Sequence, residues 1–261
     1  MRHLSLLLFF VLAVPVMAQR SNVRLGGEIV DLSHAFDATT VYWPTAEGFK
    51  LSTDFEGMTD KGYFYSAYKY SAAEHGGTHL DAPVHFAQGR HTVDQIPLKQ
   101  LMGSGIVIDV TRQCAANRDY QVTVADLQNW ERRNGRIPRD VIVFLHTGFG
   151  KRYPDRKSYL GTDERGAEAV AKLHFPGLDP AAARWLVQNR SIKAIGLDTA
   201  SIDYGQSTLF ESHRILMEKN IPAFENVANL DQLPVKGFSV IALPMKIKGG
   251  SGGPLRIVAF R

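Results

Sequence analysis

The sequence predicts a single α/β domain built around a mixed sheet. Short β-branched runs alternate with helical stretches from Gly26 to the end of the 261-residue chain, and no low-complexity linker or internal repeat divides them. The helical stretches carry recognisable caps at both ends. Several strand-to-strand steps, notably near the C-terminal end, are too short for a crossover helix, so antiparallel neighbours must join parallel ones.

The first residues stand apart from this pattern. Met1-Arg2-His3 is a short positive start, residues 4–16 (LSLLLFFVLAVPV) are almost wholly apolar, and Val16-Met17-Ala18 places small residues at −3 and −1 of a cut before Gln19. That layout predicts a secretory signal peptide over residues 1–18, with an uncleaved anchor as the alternative, and a mature domain over 19–261. The expected location is therefore outside the cytoplasm, periplasmic or secreted. No later segment reaches membrane-spanning length.

Strands are expected at residues 29–32, in the aromatic run 63–73 (YFYSAYKYSAA), and in the apolar runs 105–110 and 141–145. Three more follow at 194–197, 239–243 and 255–260. Thr123 can cap a helix over 124–133 that stops near Gly135, and Asp179 before Pro180 opens another over 181–188. A third covers 211–219 and ends before Pro222.

Composition narrows the function. A hydrophobic fraction of 44% excludes a disordered chain. The net charge of +4 is spread without a basic block, which gives no nucleic-acid footprint. Cys114 is the only cysteine, so neither an internal disulfide nor a thiolate zinc site can form, and any metal must be held by His, Asp and Glu.

One stretch gathers those residue types. Glu74-His75-Gly76-Gly77-Thr78-His79-Leu80-Asp81-Ala82-Pro83-Val84-His85 holds three of the nine histidines of the chain within eleven positions. Its glycines and proline disfavour a helix, so it reads as a tight turn running into a strand. Alternate strand residues share a face, which lets His79, Asp81 and His85 point the same way while the Gly76-Gly77 bend folds His75 back toward them. Imidazoles and a carboxylate converging on one point suit a hydrolytic metal site with open positions for water and substrate. An isolated histidine is more often a hydrogen-bonding group than a ligand; the joint pattern H-x-x-x-H-x-D-x-x-x-H favours the metal.

The run H-x-G-T-H-x-D-x-P-x-H resembles the signature of the cyclase family of metal-dependent hydrolases, which includes bacterial kynurenine formamidase and isatin hydrolase. Val41-Tyr42-Trp43-Pro44 is similar to that family's N-terminal W-P element, and Gly196-Leu197-Asp198-Thr199-Ala200-Ser201-Ile202-Asp203 to its G-x-D-T-x-S-x-D segment. Phe144-Leu145-His146-Thr147-Gly148 resembles its strand ending in Thr-Gly, although His146 stands where an Arg is usual. Lys248-Gly249-Gly250-Ser251-Gly252-Gly253-Pro254 matches its glycine-rich C-terminal turn.

The resemblance implies a swivelling β/β/α fold, usually dimeric or tetrameric. It also implies that a later His and a Glu twelve positions beyond complete the metal site, a spacing met by His213 and Glu225. On that analogy His75, His79 and Asp81 bind one ion, and Asp81 and Glu225 can bridge to a second held also by His213. The ion is Zn2+ or Mn2+, and one or two ions fit the donors. His85 becomes the proton-transfer residue, and Trp43 either stacks on an aromatic substrate or is an ordinary core or interface tryptophan.

The remaining candidates read as structural. The Gly249 to Gly253 turn lacks the Lys-Ser/Thr of a phosphate loop, Ser251 lacks a G-x-S-x-G context, and Cys114 is a lone thiol. His146, at a strand end, could face the site but reads rather as a hydrogen-bonded surface histidine, and the aromatic run 63–70 as core and subunit packing. The expected activity is hydrolysis of a non-peptide amide C–N bond in a small aromatic substrate, by metal-bound hydroxide. The substrate is a cyclic amide such as isatin or a formamide such as N-formylkynurenine. The competing readings are a lactone or ester hydrolase on the same site, and a non-catalytic exported protein that binds metal or a small ligand.

Overall fold

A computed structural model describes residues 26–261, so the signal peptide expected at 1–18 lies outside the described residues. In chain order the strands are β1 (Ile29–Asp31), β2 (Lys50–Met58), β3 (Phe64–Ser71), β4 (His79–Asp81), β5 (Met102–Asp109) and β6 (Gln121–Val122). They continue with β7 (Val141–His146), β8 (Gly177–Leu178), β9 (Ile192–Leu197), β10 (Ala223–Glu225), β11 (Lys236–Pro244) and β12 (Gly252–Phe260). The α-helices are α1 (Thr111–Ala116), α2 (Val124–Asn134), α3 (Arg156–Leu160), α4 (Ala167–Val170), α5 (Pro180–Asn189) and α6 (Glu211–Met217).

The apolar runs become the middle of one sheet. Its order is β1-β12-β11-β5-β7-β9-β10-β4, and β4 pairs again with β12. Seven strands therefore close into a barrel, with β1 attached outside β12. Steps β5–β7, β7–β9 and β9–β10 are parallel, while β11, β12 and β4 run antiparallel to their neighbours. This is the mixed α/β domain the alternation predicts. Closure leaves these seven strands without an open edge.

Both faces of the central strands are covered, which is why they read as unbroken apolar runs. Ile106, Val143 and Leu145 pack under α2 and α5 with Leu127, Trp130, Ala183 and Leu186. Val107, Ile142 and Phe144 face the other way, into the closed sheet with Phe224, Val240 and Ile257.

The caps form as expected. Thr123 Oγ1 accepts from the Asp126 amide at 3.3 Å and the Asp126 carboxylate accepts from the Thr123 amide at 2.8 Å, while Gly135 ends α2 with φ 85°. Asp179 caps α5 through Ala181 N at 2.7 Å. Helix α6 stops at Met217, short of the expected 219, as the chain turns through Asn220 at φ 55°.

Two expectations need correction. The aromatic run is not part of this chain's core. It forms β3, which among the described residues pairs only with β2 in a separate hairpin, and Tyr63, Phe64, Tyr65, Tyr68 and Tyr70 are 47–61% exposed. Nor does one strand carry His79, Asp81 and His85. Strand β4 ends at Asp81, and Pro83, at the first position of a 3-10 turn over Pro83–His85, bends the chain so that His85 approaches from the side. Among the described residues no helix is long and apolar enough to cross a membrane.

Candidate metal centre

The seam of the barrel assembles the cluster. Strand β4 sits between β10 and β12, with His79 opposite Glu225 and Asp81 opposite Gly252. Cross-strand partners stand about 5 Å apart, so His79 and Glu225 are brought together by register alone. The bend before β4 is equally constrained. Gly77 has φ 56°, and a Cβ on Gly76 would lie 2.1 Å from the Tyr42 ring, so the turn packs flat against that ring. Helix α6 then delivers His213 from the other side.

The side chains converge tightly. His79 Nε2 lies 3.0 Å from Asp81 Oδ1 and 3.5 Å from Glu225 Oε2. His213 Nε2 lies 3.1 Å from both Asp81 Oδ2 and Glu225 Oε1. His75 Nδ1 is 2.7 Å from Asp81 Oδ1. The His85 ring stacks on that of His75 at 3.9 Å between centroids and 17° between planes. All six residues of the expected catalytic and metal set are therefore in one place, with His79, Asp81, His213 and Glu225 buried.

Outer partners fix the orientation of two imidazoles. His79 Nδ1 donates to the Gly77 carbonyl at 3.0 Å. His213 Nδ1 donates to Asp203 Oδ2 at 2.6 Å, and Asp203 is itself held by the amides of Ser212 and His213, each at 3.1 Å. Each ring thereby turns Nε2 toward the carboxylates, as an imidazole ligand must. Glu225 Oε1 accepts from the Ile202 amide at 2.7 Å.

The electrostatics ask for a cation at the centre. Burial works to lower the His79 imidazole, but Asp81 and Glu225 outweigh it and raise it to about 9. Burial also opposes a charge on His213, yet hydrogen bonds to Asp203, Asp81 and Glu225 hold it well above its ordinary value. Asp81 resists its own burial and stays well below the usual carboxylate range beside His75 and His79, whereas burial and the Asp81 charge push Glu225 up. His79 Nε2 is buried with no hydrogen-bond partner although it faces two carboxylates. A divalent ion among these donors would satisfy that atom and replace the imidazole protons, and His75, Asp81 and His85 offer a second cluster of donor atoms within 4.8 Å of one another. The residues fit the group.

A cavity of about 290 Å3 opens onto the cluster, lined by Trp43, Phe86 and Phe210 beside His75, His85 and Asn226. Trp43 faces it while packing on Phe175 and Phe210 at 6.4 and 6.3 Å, so it is both wall and packing residue. Burial lowers the His85 imidazole to about 4, against the pull of Asp81, leaving it neutral at neutral pH. His146 is buried at the end of β7 rather than at the surface, 3.9 Å from Asp109, and does not line the cavity. Burial pushes the Cys114 thiol up to about 12, far from a nucleophile.

Asp203 is the residue whose role the sequence did not disclose. Its motif was visible, but the helix His ten positions later is ordinary until the fold joins them. Asn226 is a second: its side chain donates to the Gly77 carbonyl at 2.7 Å and accepts from the Tyr159 hydroxyl at 2.9 Å, bracing the bend.

Comparison with known proteins shows which family the chain resembles. The family model described as "Putative cyclase" matches residues 30–204. Isatin hydrolase of Roseibium aggregatum is 30% identical over 256 residues, covering 90% of this chain and 93% of that protein. Kynurenine formamidase of Salinibacter ruber is 25% identical over 230 residues, with 88% and 96% covered. Among solved structures, an isatin hydrolase bound to the product analogue thioisatinate superposes with a TM-score of 0.80 at 29% identity, covering 89% of this chain and 91% of that one.

Proposed function

The chain belongs to the cyclase family, and on that premise we propose that it is a metal-dependent hydrolase of a non-peptide amide C–N bond in a small aromatic substrate. One observation carries the reading: His213 and Glu225, distant in sequence, meet His75, His79 and Asp81 within hydrogen-bonding range at the floor of an aromatic cavity. A divalent ion bound there, Zn2+ or Mn2+, would supply an activated water and a Lewis acid for the carbonyl oxygen.

The protein's own residues do the rest. Trp43, Phe86 and Phe210 receive a flat ring and exclude water from it. His85, neutral and stacked on His75 at the cavity wall, takes the proton from the attacking water and passes it to the departing nitrogen. Similarity to isatin hydrolase, with export implied by residues 1–18, favours a cyclic amide over N-formylkynurenine, whose hydrolysis is an intracellular degradation step. We place the mature protein outside the cytoplasm on the strength of that leader alone.

Turnover of isatin and of N-formylkynurenine, measured before and after chelation and again after adding Zn2+ or Mn2+, tests the proposal. Hydrolysis that falls with chelation and returns with metal supports it. Stoichiometric metal without turnover of any amide or lactone in a wider panel would replace it with a binding protein.

The assembly proposed is a homodimer or homotetramer joined through the β2–β3 hairpin. Leu51, Phe55, Met58, Tyr63, Phe64, Tyr65, Tyr68 and Tyr70 are all at least 41% exposed. By the β2–β3 register Leu51, Met58, Phe64, Tyr68 and Tyr70 share one face and Phe55 and Tyr65 the other, so at about 200 Å2 per large side chain half-exposure puts roughly 500 Å2 of the first face in water. That matches the largest apolar patches that monomers carry, which are often functional surfaces.

A further inference from the structure

The glycine-rich turn between β11 and β12 has a second task beyond linking two strands. Ser251 ends the turn, immediately before β12, with its backbone fastened: Ala82 N donates to the Ser251 carbonyl at 2.8 Å, and Ser251 N donates to Glu74 Oε2 at 2.9 Å. Its hydroxyl lies 2.6 Å from the same Glu74 oxygen and 2.8 Å from His75 Nε2.

Hydrogen-bond bookkeeping assigns the protons. A hydroxyl has one hydrogen, and a carboxylate only accepts, so Ser251 donates to Glu74. The Ser251 oxygen is then the acceptor for His75, and Nε2 must carry the imidazole hydrogen. In the neutral ring Nδ1 is left with its lone pair, 2.7 Å from Asp81 Oδ1. A lone pair facing a carboxylate oxygen at that distance is repulsive, so Nδ1 carries either a second proton, as an ion pair with Asp81, or a divalent ion in that proton's place. His79 and His213 use the opposite arrangement, with Nδ1 as donor and Nε2 inward.

The flanking glycines are what let the turn come so close. A Cβ on Gly252 would stand 2.6 Å from His75 Cε1 and 2.5 Å from the Leu80 carbonyl oxygen, and one on Gly250 would stand 2.7 Å from Glu74 Oε1. The glycines thus shape a cradle that presses one hydroxyl between Glu74 and His75.

The geometry points to Ser251 and Glu74 as positioning residues that hold His75 in the Nε2–H tautomer and present Nδ1 to the metal, an inference that rests on the metal reading of the site. Outer partners of metal-bound imidazoles typically contribute about 10–100-fold to affinity. The test is Zn2+ and Mn2+ affinity of the full chain, by competition with a chromogenic chelator, for wild type, Ser251→Ala, Ser251→Thr and Glu74→Gln, with unfolding curves as a control. The Ala variant should bind about 10–100-fold more weakly with its fold intact, the Thr variant should stay within a few-fold of wild type, and Glu74→Gln should weaken binding too. Nitrogen-15 NMR of metal-loaded wild type should show His75 protonated at Nε2 and ligated through Nδ1. Wild-type binding that Ser251→Ala leaves unchanged, or His75 ligated through Nε2, overturns the relay while the metal site stands. A wild type that binds neither ion fails the metal assignment itself and takes the relay with it.

Discussion

The seam of the barrel and the β2–β3 hairpin make opposite use of a strand. Strands β4 and β10 have three residues each, and every one is buried between two neighbours. Strands β2 and β3 have nine and eight residues, almost all exposed, and each has only the other for a partner. Length would suggest the hairpin as the sturdier element, yet burial and pairing reverse the order. The seam is over-determined: β9, β12, α6 and the glycine-rich turn converge on it, so ionisable side chains can be held there at high electrostatic cost. The hairpin is under-determined, and its aromatic faces call for a surface that the described residues do not supply.

The largest effect should come from the shared carboxylate. Asp81 is within 3.1 Å of His75, His79 and His213, so Asp81→Ala should abolish stoichiometric metal binding, a loss beyond the roughly 10–100-fold expected for an outer partner. Metal content after dialysis checks it; a variant that keeps its ion would show the seam to be redundant. Next is His85→Ala, which should retain metal and lose about 10²–10⁴-fold in turnover. Retained turnover there would remove His85 from proton transfer.

Asp203→Asn is expected to weaken metal affinity by about 10–100-fold, since it touches no ion and acts only by orienting His213. Equilibrium metal competition reads it, and equal affinities would mean that helix packing alone sets that ring. Smallest for the single chain is the hairpin. Met58→Ser with Phe64→Ser should shift the protein to monomer in sedimentation while leaving the unfolding free energy of the barrel within about 0.5 kcal/mol per site, as exposed substitutions usually do. An unchanged sedimentation profile would show the assembly to use another face.

Legibility in the sequence followed the same contrast. Buried strands such as β5 and β7 announce themselves, because coverage on both faces turns them into apolar runs, and α2 and α5 carry their caps in plain sight. Strands β4 and β10 do not, since three residues are too few for a period-two pattern. The polar run KLSTDFEGM of β2 carries no regular apolar stripe, so the hairpin's first strand is not visible in the sequence. Strand alternation cannot place His85, because the backbone turns at Pro83 and the period of two ends there. The cluster His75, His79 and Asp81 was readable from local spacing. His213 was not: it lies 132 positions from Asp81 on an unremarkable helix, and only family resemblance singled it out. Ser251 was set aside with its turn, since nothing in a glycine-rich string says which side chain it will press against.

The central claim is that His75, His79, Asp81, His213 and Glu225 surround one or two divalent ions. A crystal structure of metal-loaded protein, with anomalous data on both sides of the zinc and manganese edges, tests it most directly. The account predicts a strong peak bonded to Asp81 and to imidazole nitrogens of this cluster. A loaded protein whose anomalous peak lies elsewhere, with these five side chains still hydrogen-bonded to one another, would contradict it.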